Sequence, residues 1–265
     1  LENGTARAFP IRSGDVAEFL VDGRVMLTGR ISAVPISYGD RQHQVSLTIK
    51  SFAADLVTTS YAQRPRTWRD ATIGQIARKV CKAYDIEVRM EVEEGKAFDR
   101  YGAGVGESSW SVLQRALQAR GLWAASSTDG ALRILSASSQ RYETQIVGPG
   151  GSGRVNVIEG AREDRSEDRP SEVIVVGQSA ERADWTGDQA SKGFAVARDP
   201  GVTSYRPLVI SEGARSSAAE LQERADWEVR RRAGMSSVLT YVMPAWAGDD
   251  RDMPLWEPDR LVSVD

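Results

Sequence analysis

Val16-Ala17-Glu18-Phe19-Leu20-Val21-Asp22-Gly23-Arg24-Val25-Met26-Leu27-Thr28-Gly29-Arg30-Ile31 reads as two strands and the turn that joins them. Val16 to Val21 alternates in polarity, as a half-buried strand does. Asp22-Gly23 is a two-residue hairpin signal. A type I′ turn needs positive φ at both central positions, which Asp and Gly tolerate best. Val25 to Val34 continues outward, and Tyr38-Gly39-Asp40 supplies a second turn. In Val45-Ser46-Leu47-Thr48-Ile49-Lys50 the apolar residues Val45, Leu47 and Ile49 fall on one face and the polar ones on the other. Residues 7–58 therefore predict antiparallel sheet with one dry and one wet face.

The pattern changes after residue 60. Ala71 to Tyr84 has apolar residues at helical spacing, with Asp70 or Thr72 placed to cap the first turn. Ile86 to Val92 alternates as a strand. Trp110, Leu113, Ala116 and Leu117 mark a second helix, with Ser108 or Ser109 as cap and Gly121 at its far end. Leu122 to Ser127 and Ala131 to Leu135 flank Asp129-Gly130 as a hairpin. Helix, strand, helix and hairpin make a compact α/β module. Val147 to Gly153 is too rich in Gly and Pro for a helix or central strand and reads as a linker. Beyond it, Val155 to Ala161 and Glu172 to Gly177 read as strands around a charged turn, Arg162 to Pro170. Residues 180–205 are polar and weakly periodic, a long excursion. Ser217 and Glu220 form a capping box for a helix that Gly234 ends. Ser237 to Met243 and Arg260 to Val264 read as closing strands.

The bulk composition excludes several classes. Of 265 residues, 27% are charged and 41% hydrophobic, with a net charge of −3. A nucleic-acid-binding chain is usually basic, so no specific nucleic-acid binding is expected. The longest apolar runs, such as Val173 to Val176, are far too short to cross a bilayer. The sequence opens on Leu1-Glu2-Asn3-Gly4 rather than Met, as a trimmed or internal stretch would, and no signal peptide is visible there.

The chemistry-bearing residues are sparse. One cysteine, Cys81, excludes an internal disulfide and reads as a structural thiol. The one histidine, His43, has no Gly-x-Ser-x-Gly elbow to serve, and with one His and one Cys ordinary zinc sites are excluded. Asp249-Asp250-Arg251-Asp252 lacks the spacing of a calcium loop and reads as a solvated acidic turn. Gly102 to Gly106 lacks the Lys of a phosphate loop and reads as a turn. Glu93, Glu94, Glu107 and Asp129 could form a glycan-cleaving carboxylate pair, but 37 acidic residues make such pairs common. No catalytic residue, cofactor or metal is assigned. The interface candidates are Trp185 and Phe194 in the polar excursion, with Arg230 and Arg231 at the basic end of the third helix.

One ordered set of signals carries a resemblance. It runs through Gly14-Asp15-Val16, Val25 to Ile31, Ser51 to Ser60 with Asp55-Leu56-Val57, and Gly106-Glu107. It continues through Gln114 to Leu117, Arg120-Gly121-Leu122, Asp129 to Leu132, Asn156-Val157-Ile158 and Val176-Gly177-Gln178. It closes with Arg206-Pro207-Leu208, Ala225-Asp226-Trp227 and Leu255-Trp256. In order and spacing the chain resembles the Mu-like phage tail protein family, the baseplate hubs of contractile tails, related to pyocin hubs and type VI secretion spikes. The resemblance implies a β-rich α+β fold, with two antiparallel β-barrel-like domains and an inserted small α/β module. The expected boundaries are 1–60 for part of the first barrel-like domain, 61–147 for the module and 148–265 for the second barrel-like domain with its long helix. Members usually extend further than Val264-Asp265, which leaves that second domain incomplete. The implied function is structural and non-enzymatic: a homotrimeric ring adapting a sixfold tail tube to a threefold spike. Its implied partners are the tail tube protein, the central spike, the tape-measure protein and other baseplate proteins, with no membrane. Its implied place is the tail baseplate of the virion, after synthesis in the bacterial host cytoplasm. The rival readings are a cell-wall hydrolase of the tail tip and a carbohydrate-binding β-module. Residues 180–205 are expected to order against a neighbouring subunit or baseplate protein, with Trp185 as anchor.

Overall fold

The computed structural model describes residues 10–39, 42–136, 141–177, 193–212, 216–244, 256 and 258–265. The opening hairpin forms as its turn chemistry requires. β1 (Val16–Val21) and β2 (Arg24–Ala33) pair antiparallel around Asp22 at φ 48° and Gly23 at φ 77°. The predicted strand Val45 to Lys50 does not form as one piece. β3 (Ile36–Gly39) and β4 (Gln42–Val45) make a separate hairpin, and β5 (Thr48–Ser51) joins the far edge of β2. Ser46 instead donates its N–H to the Pro35 carbonyl, which leaves Leu47 exposed rather than on a buried face. Sheet does not continue to residue 58 either, because Ala53–Thr58 is a short helix, α1, that buries Leu56.

The next unit closes a core of its own. β6 (Thr67–Ala71) leads into α2 (Ile73–Cys81), where Thr72 and Gln75 form a capping box. A 3₁₀ turn over Lys82–Tyr84 follows, then β7 (Val88–Met90) and β8 (Phe98–Gly102). Ser108 caps α3 (Ser109–Gln118), and Gly121 at φ 62° turns the chain into β9 (Trp123–Ser126) and β10 (Leu132–Leu135). β10 lies between antiparallel β9 and parallel β7. Leu56, Ile73, Ile76, Val80, Val112, Leu113, Leu117, Leu132 and Ile134 form the buried centre. The aromatic chain Tyr61, Trp68, Tyr101, Phe98 runs beside it with centroids 5.3–5.9 Å apart.

The third part is a mixed sheet with one helix. β11 (Glu159–Asp164) pairs with β15 (Ser237–Val242) as a two-stranded ribbon. β12 (Glu172–Gly177) lies between antiparallel β13 (Phe194–Arg198) and parallel β14 (Pro207–Glu212). The parallel pair departs from the expected all-antiparallel pairing, and β13 shows that the excursion predicted over 180–205 includes an ordered strand. The charged stretch predicted as a turn from Arg162 supplies the end of β11 instead. α4 (Ala218–Met235) lays Leu221, Ala225 and Val229 on Val173, Val175, Ala195 and Ala197. Gly234 sits inside this helix, which runs one residue past it.

The predicted linker is fastened, not free. Gly148 donates to the Asp265 carbonyl at 2.8 Å, Asp265 donates to the Ile146 carbonyl at 2.9 Å, and Val147 is buried. Leu261 and Val264 make isolated parallel bridges to Arg141 and Ile146 rather than a full strand. The fold is thus α+β and β-rich. Among the described residues every sheet is an open one of two or three strands.

Candidate assembly surfaces

α4 is where charge is concentrated. Ser217 accepts from the Glu220 N–H, and the Glu220 carboxylate accepts from the Ser217 N–H at 2.8 Å. One helical turn further, Arg224 and Glu228 are both buried and paired at 2.7 Å. Arg232 bonds the other Glu228 oxygen at 2.7 Å, with Arg231 at 3.3 Å. Burial pushes the Glu228 carboxyl up, but Arg224 first, then Arg232 and Arg231, pull it below the ordinary value. Trp227 lies under two guanidinium groups, Arg224 at 4.8 Å and Arg231 at 5.6 Å from its ring centroid.

The interface candidates fall in different places. Trp185 lies outside the described residues. Phe194 opens β13, in the row Phe194, Val176, Ser211 next to the row Val196, Ile174, Val209. Alternation along the strands puts both rows on the face opposite α4, where Val209 is exposed. Arg230 is exposed and has no ion pair among the described residues, whereas Arg231 is engaged by Glu228 and Trp227. Sequence reading missed the more open surface. The β11–β15 ribbon has no third strand among the described residues, and Ile158, Val238, Leu239 and Val242 beside or on it are exposed. Val16 and Leu20 on β1 are exposed as well. The signal was available in Val238, Leu239 and Val242, but alternation alone does not say whether a face finds a cover.

A cleft of about 510 Å³ opens at the foot of the ribbon, lined by Arg162, Arg165, Arg169 and Arg206. Its basic groups are engaged: Arg162 by Asp164, Arg165 by Glu163, Arg169 by Asp199 at 2.7 Å and Arg206 by the Glu167 carbonyl. It is a lattice of ion pairs rather than a free anion site.

Three of the four candidate acids are likewise anchors. Glu94 accepts from Thr72 and Arg78, Glu107 from Arg115 and the Gly104 N–H, and Asp129 pairs with Arg89 at 2.7 Å. The hydrogen bond from Arg89, with one from Ser127, draws Asp129 down to about 2, the wrong direction for a general acid. The Gly104 turn is pinned on its other side by Arg66. His43 lies in β4 opposite Tyr38. The acidic stretch 249–252 lies outside the described residues. Among the described residues no three His, Cys, Asp or Glu gather as metal ligands, and no helix is long and apolar enough to cross a membrane.

Cys81 has no exposed surface, and burial pushes its thiol up to about 12. It should therefore resist a thiol reagent at about pH 8 in the folded protein and react fully once denatured. Cys81→Ala should cost about 1–2 kcal/mol of packing and leave assembly unchanged. Fast labelling of the native chain would contradict this.

Residues 53–136 match the family model of the second domain of gp44-like baseplate hub proteins, and 169–227 match the third domain of NMB1110-like tail proteins. Together with the relatives below, these two matches support a Mu-like phage tail family. It is 28% identical over 252 residues to baseplate hub protein gp44 of Escherichia phage Mu, covering 92% of this chain and 64% of that one. The chain thus spans just under two thirds of that relative's length. Its fold superimposes on the 43 kDa tail protein of prophage MuSo2 from Shewanella oneidensis with a TM-score of 0.81 at 27% identity, covering 98% of this chain and 76% of the other. The tail protein of Neisseria meningitidis MC58 shares the fold at a TM-score of 0.80 and 24% identity, covering 97% and 75%.

Proposed function

We propose that this chain is the non-enzymatic structural hub of a contractile-tail baseplate, forming a trimeric ring that adapts a sixfold tube to a threefold spike. The observation that carries the reading is the match to the phage Mu baseplate hub across 92% of the chain. The open sheets support it. A two-stranded ribbon is marginal alone in water, and the apolar side chains on β15 have a use once further strands or a neighbouring subunit cover them. On this reading β1–β2–β5 and the β11–β15 ribbon are parts of two barrel-like domains that the remainder of the protein and its neighbours complete. The sheet face with Phe194 and Val209, and Arg230 on α4, are contact surfaces for a neighbouring subunit or another baseplate protein. The tube protein, central spike and tape-measure protein are the partners, and the virion tail is the place of action.

Closed symmetry is the common solution for homo-oligomers. Light scattering should give three times the 29.0 kDa subunit mass. A strictly monomeric mass at high concentration would remove the ring from the proposal, and clearing of peptidoglycan by such a monomer would replace the hub with a hydrolase.

A further inference from the structure

The two large cores share no residue. One is built from residues between Leu56 and Ile134, the other from residues between Val173 and Ala225. The contact between them is largely polar. Arg120, just past α3, holds Glu220 Oε1 in the first turn of α4 at 3.0 Å, and Lys96 approaches the same oxygen at 3.8 Å. Arg224 Nη2 donates to Gln118 Oε1 at 3.4 Å. Glu212, buried at the end of β14, is close enough for its charge to act on the Tyr101 phenol. Trp227 fills the gap against Gly121, where a Cβ would come within 3.2 Å of its ring.

Two details make this seam weaker than either core. The buried Nε atoms of Arg120 and Arg224, both at the seam, have no hydrogen-bond partner among the described residues. A buried donor left unpaired keeps its desolvation cost, so closing the seam is poorly compensated. The chemistry of Glu220 is also divided. One oxygen serves the helix cap through Ser217 and the other serves Arg120 and Lys96. The seam can therefore open without uncapping α4. Contacts between domains that are neither large nor apolar normally permit relative motion.

We propose that this seam is a separable joint. The module of residues 53–136 and the sheet-and-helix unit are two rigid bodies that part between Arg120 and Glu220, each keeping its own core.

The test is a distance distribution between spin labels on the two bodies. Val105→Cys and Tyr205→Cys place labels at highly exposed sites on either side, and buried Cys81 does not compete. Glu220→Gln removes the charge yet keeps the capping box, which accepts Gln as well as Glu. The expected result is a broader distribution with a new population at longer distance in Glu220→Gln. The same change should appear in the otherwise unaltered protein as salt rises from about 0.1 M to about 1 M, which shortens the screening length from about 10 Å to about 3 Å. Broadening in either arm, with amide protection of both cores retained, supports the joint. An unchanged narrow distribution in both arms overturns it and makes the two units one rigid body. Should Glu220→Gln fail to fold, the salt series decides alone.

Discussion

Glu228→Ala is expected to lower the unfolding free energy by about 3–5 kcal/mol, the cost of leaving a buried partner charge uncompensated. Arg224 is buried, is paired with Glu228 at 2.7 Å and has an Nε that already lacks a partner among the described residues. Without Glu228 its positive charge would remain among Arg231, Arg232 and the Trp227 ring. Chemical denaturation followed by far-UV circular dichroism measures the loss, and amide exchange places it in α4 and the β12 sheet rather than in the module. The pH dependence has a definite sign. The folded carboxyl lies below its ordinary 4.5, because three arginines outweigh burial. A depressed folded value gives stability that is complete above 4.5 and is lost as pH falls through the lower folded value. Glu228→Gln should lack that acid-side component. A Glu228→Ala protein as stable as the parent at neutral pH would refute the account.

Gly29→Ala is expected to cost about 3 kcal/mol by forcing β2 and β5 apart. Gly29 faces Ser51 across that pair, and a Cβ there would lie 2.0 Å from the Lys50 carbonyl oxygen and 2.7 Å from its carbon. Both atoms are backbone, so no side chain can move aside. Amide protection should be lost across β2 and β5 while the core around Ile76 and Leu113 keeps its own. Unchanged protection in β5 would show that the strands accommodate the methyl group, and the close approach would then not explain the glycine.

The contrast between legible and illegible elements has a physical pattern. Thr72, Ser108 and Ser217 each cap the helix their spacing announces, because a cap is a local bargain between a side chain and the N–H groups three residues on. Asp22-Gly23 was legible for the same reason. β6 was not. Its ladder pairs Trp68 with Tyr101 and Ala71 with Phe98 in constant register, but Asp70 at φ 49° departs from extended backbone, and the buried Trp68 and Ala71 fall three residues apart, so no two-residue alternation shows. The parallel pairing of β12 with β14 joins strands about thirty-five residues apart, as the Glu172–Pro207 register shows, and no local pattern encodes that choice. The candidate site shows the same limit. Arg231 could be read as basic and helical, but its engagement with Glu228 and Trp227 depends on helix phase and burial together. The ribbon's exposure depends on what does not pack against it.

That ribbon also bears on how the protein behaves in a tube. An uncovered strand edge is a template for the wrong neighbour as readily as for the right one. The two edges here are not equally defended. β11 carries Glu159, Arg162, Glu163 and Asp164, charges that discourage a stray strand from stacking alongside. β15 carries Val238, Leu239 and Val242 with no charged residue in its six. Storage at high concentration, or near the isoelectric point of about 5.5 where repulsion between molecules vanishes, therefore favours precipitation that begins along β15. A lysine placed at Thr240 is the simplest guard, since it puts charge on the undefended strand without touching an apolar side chain.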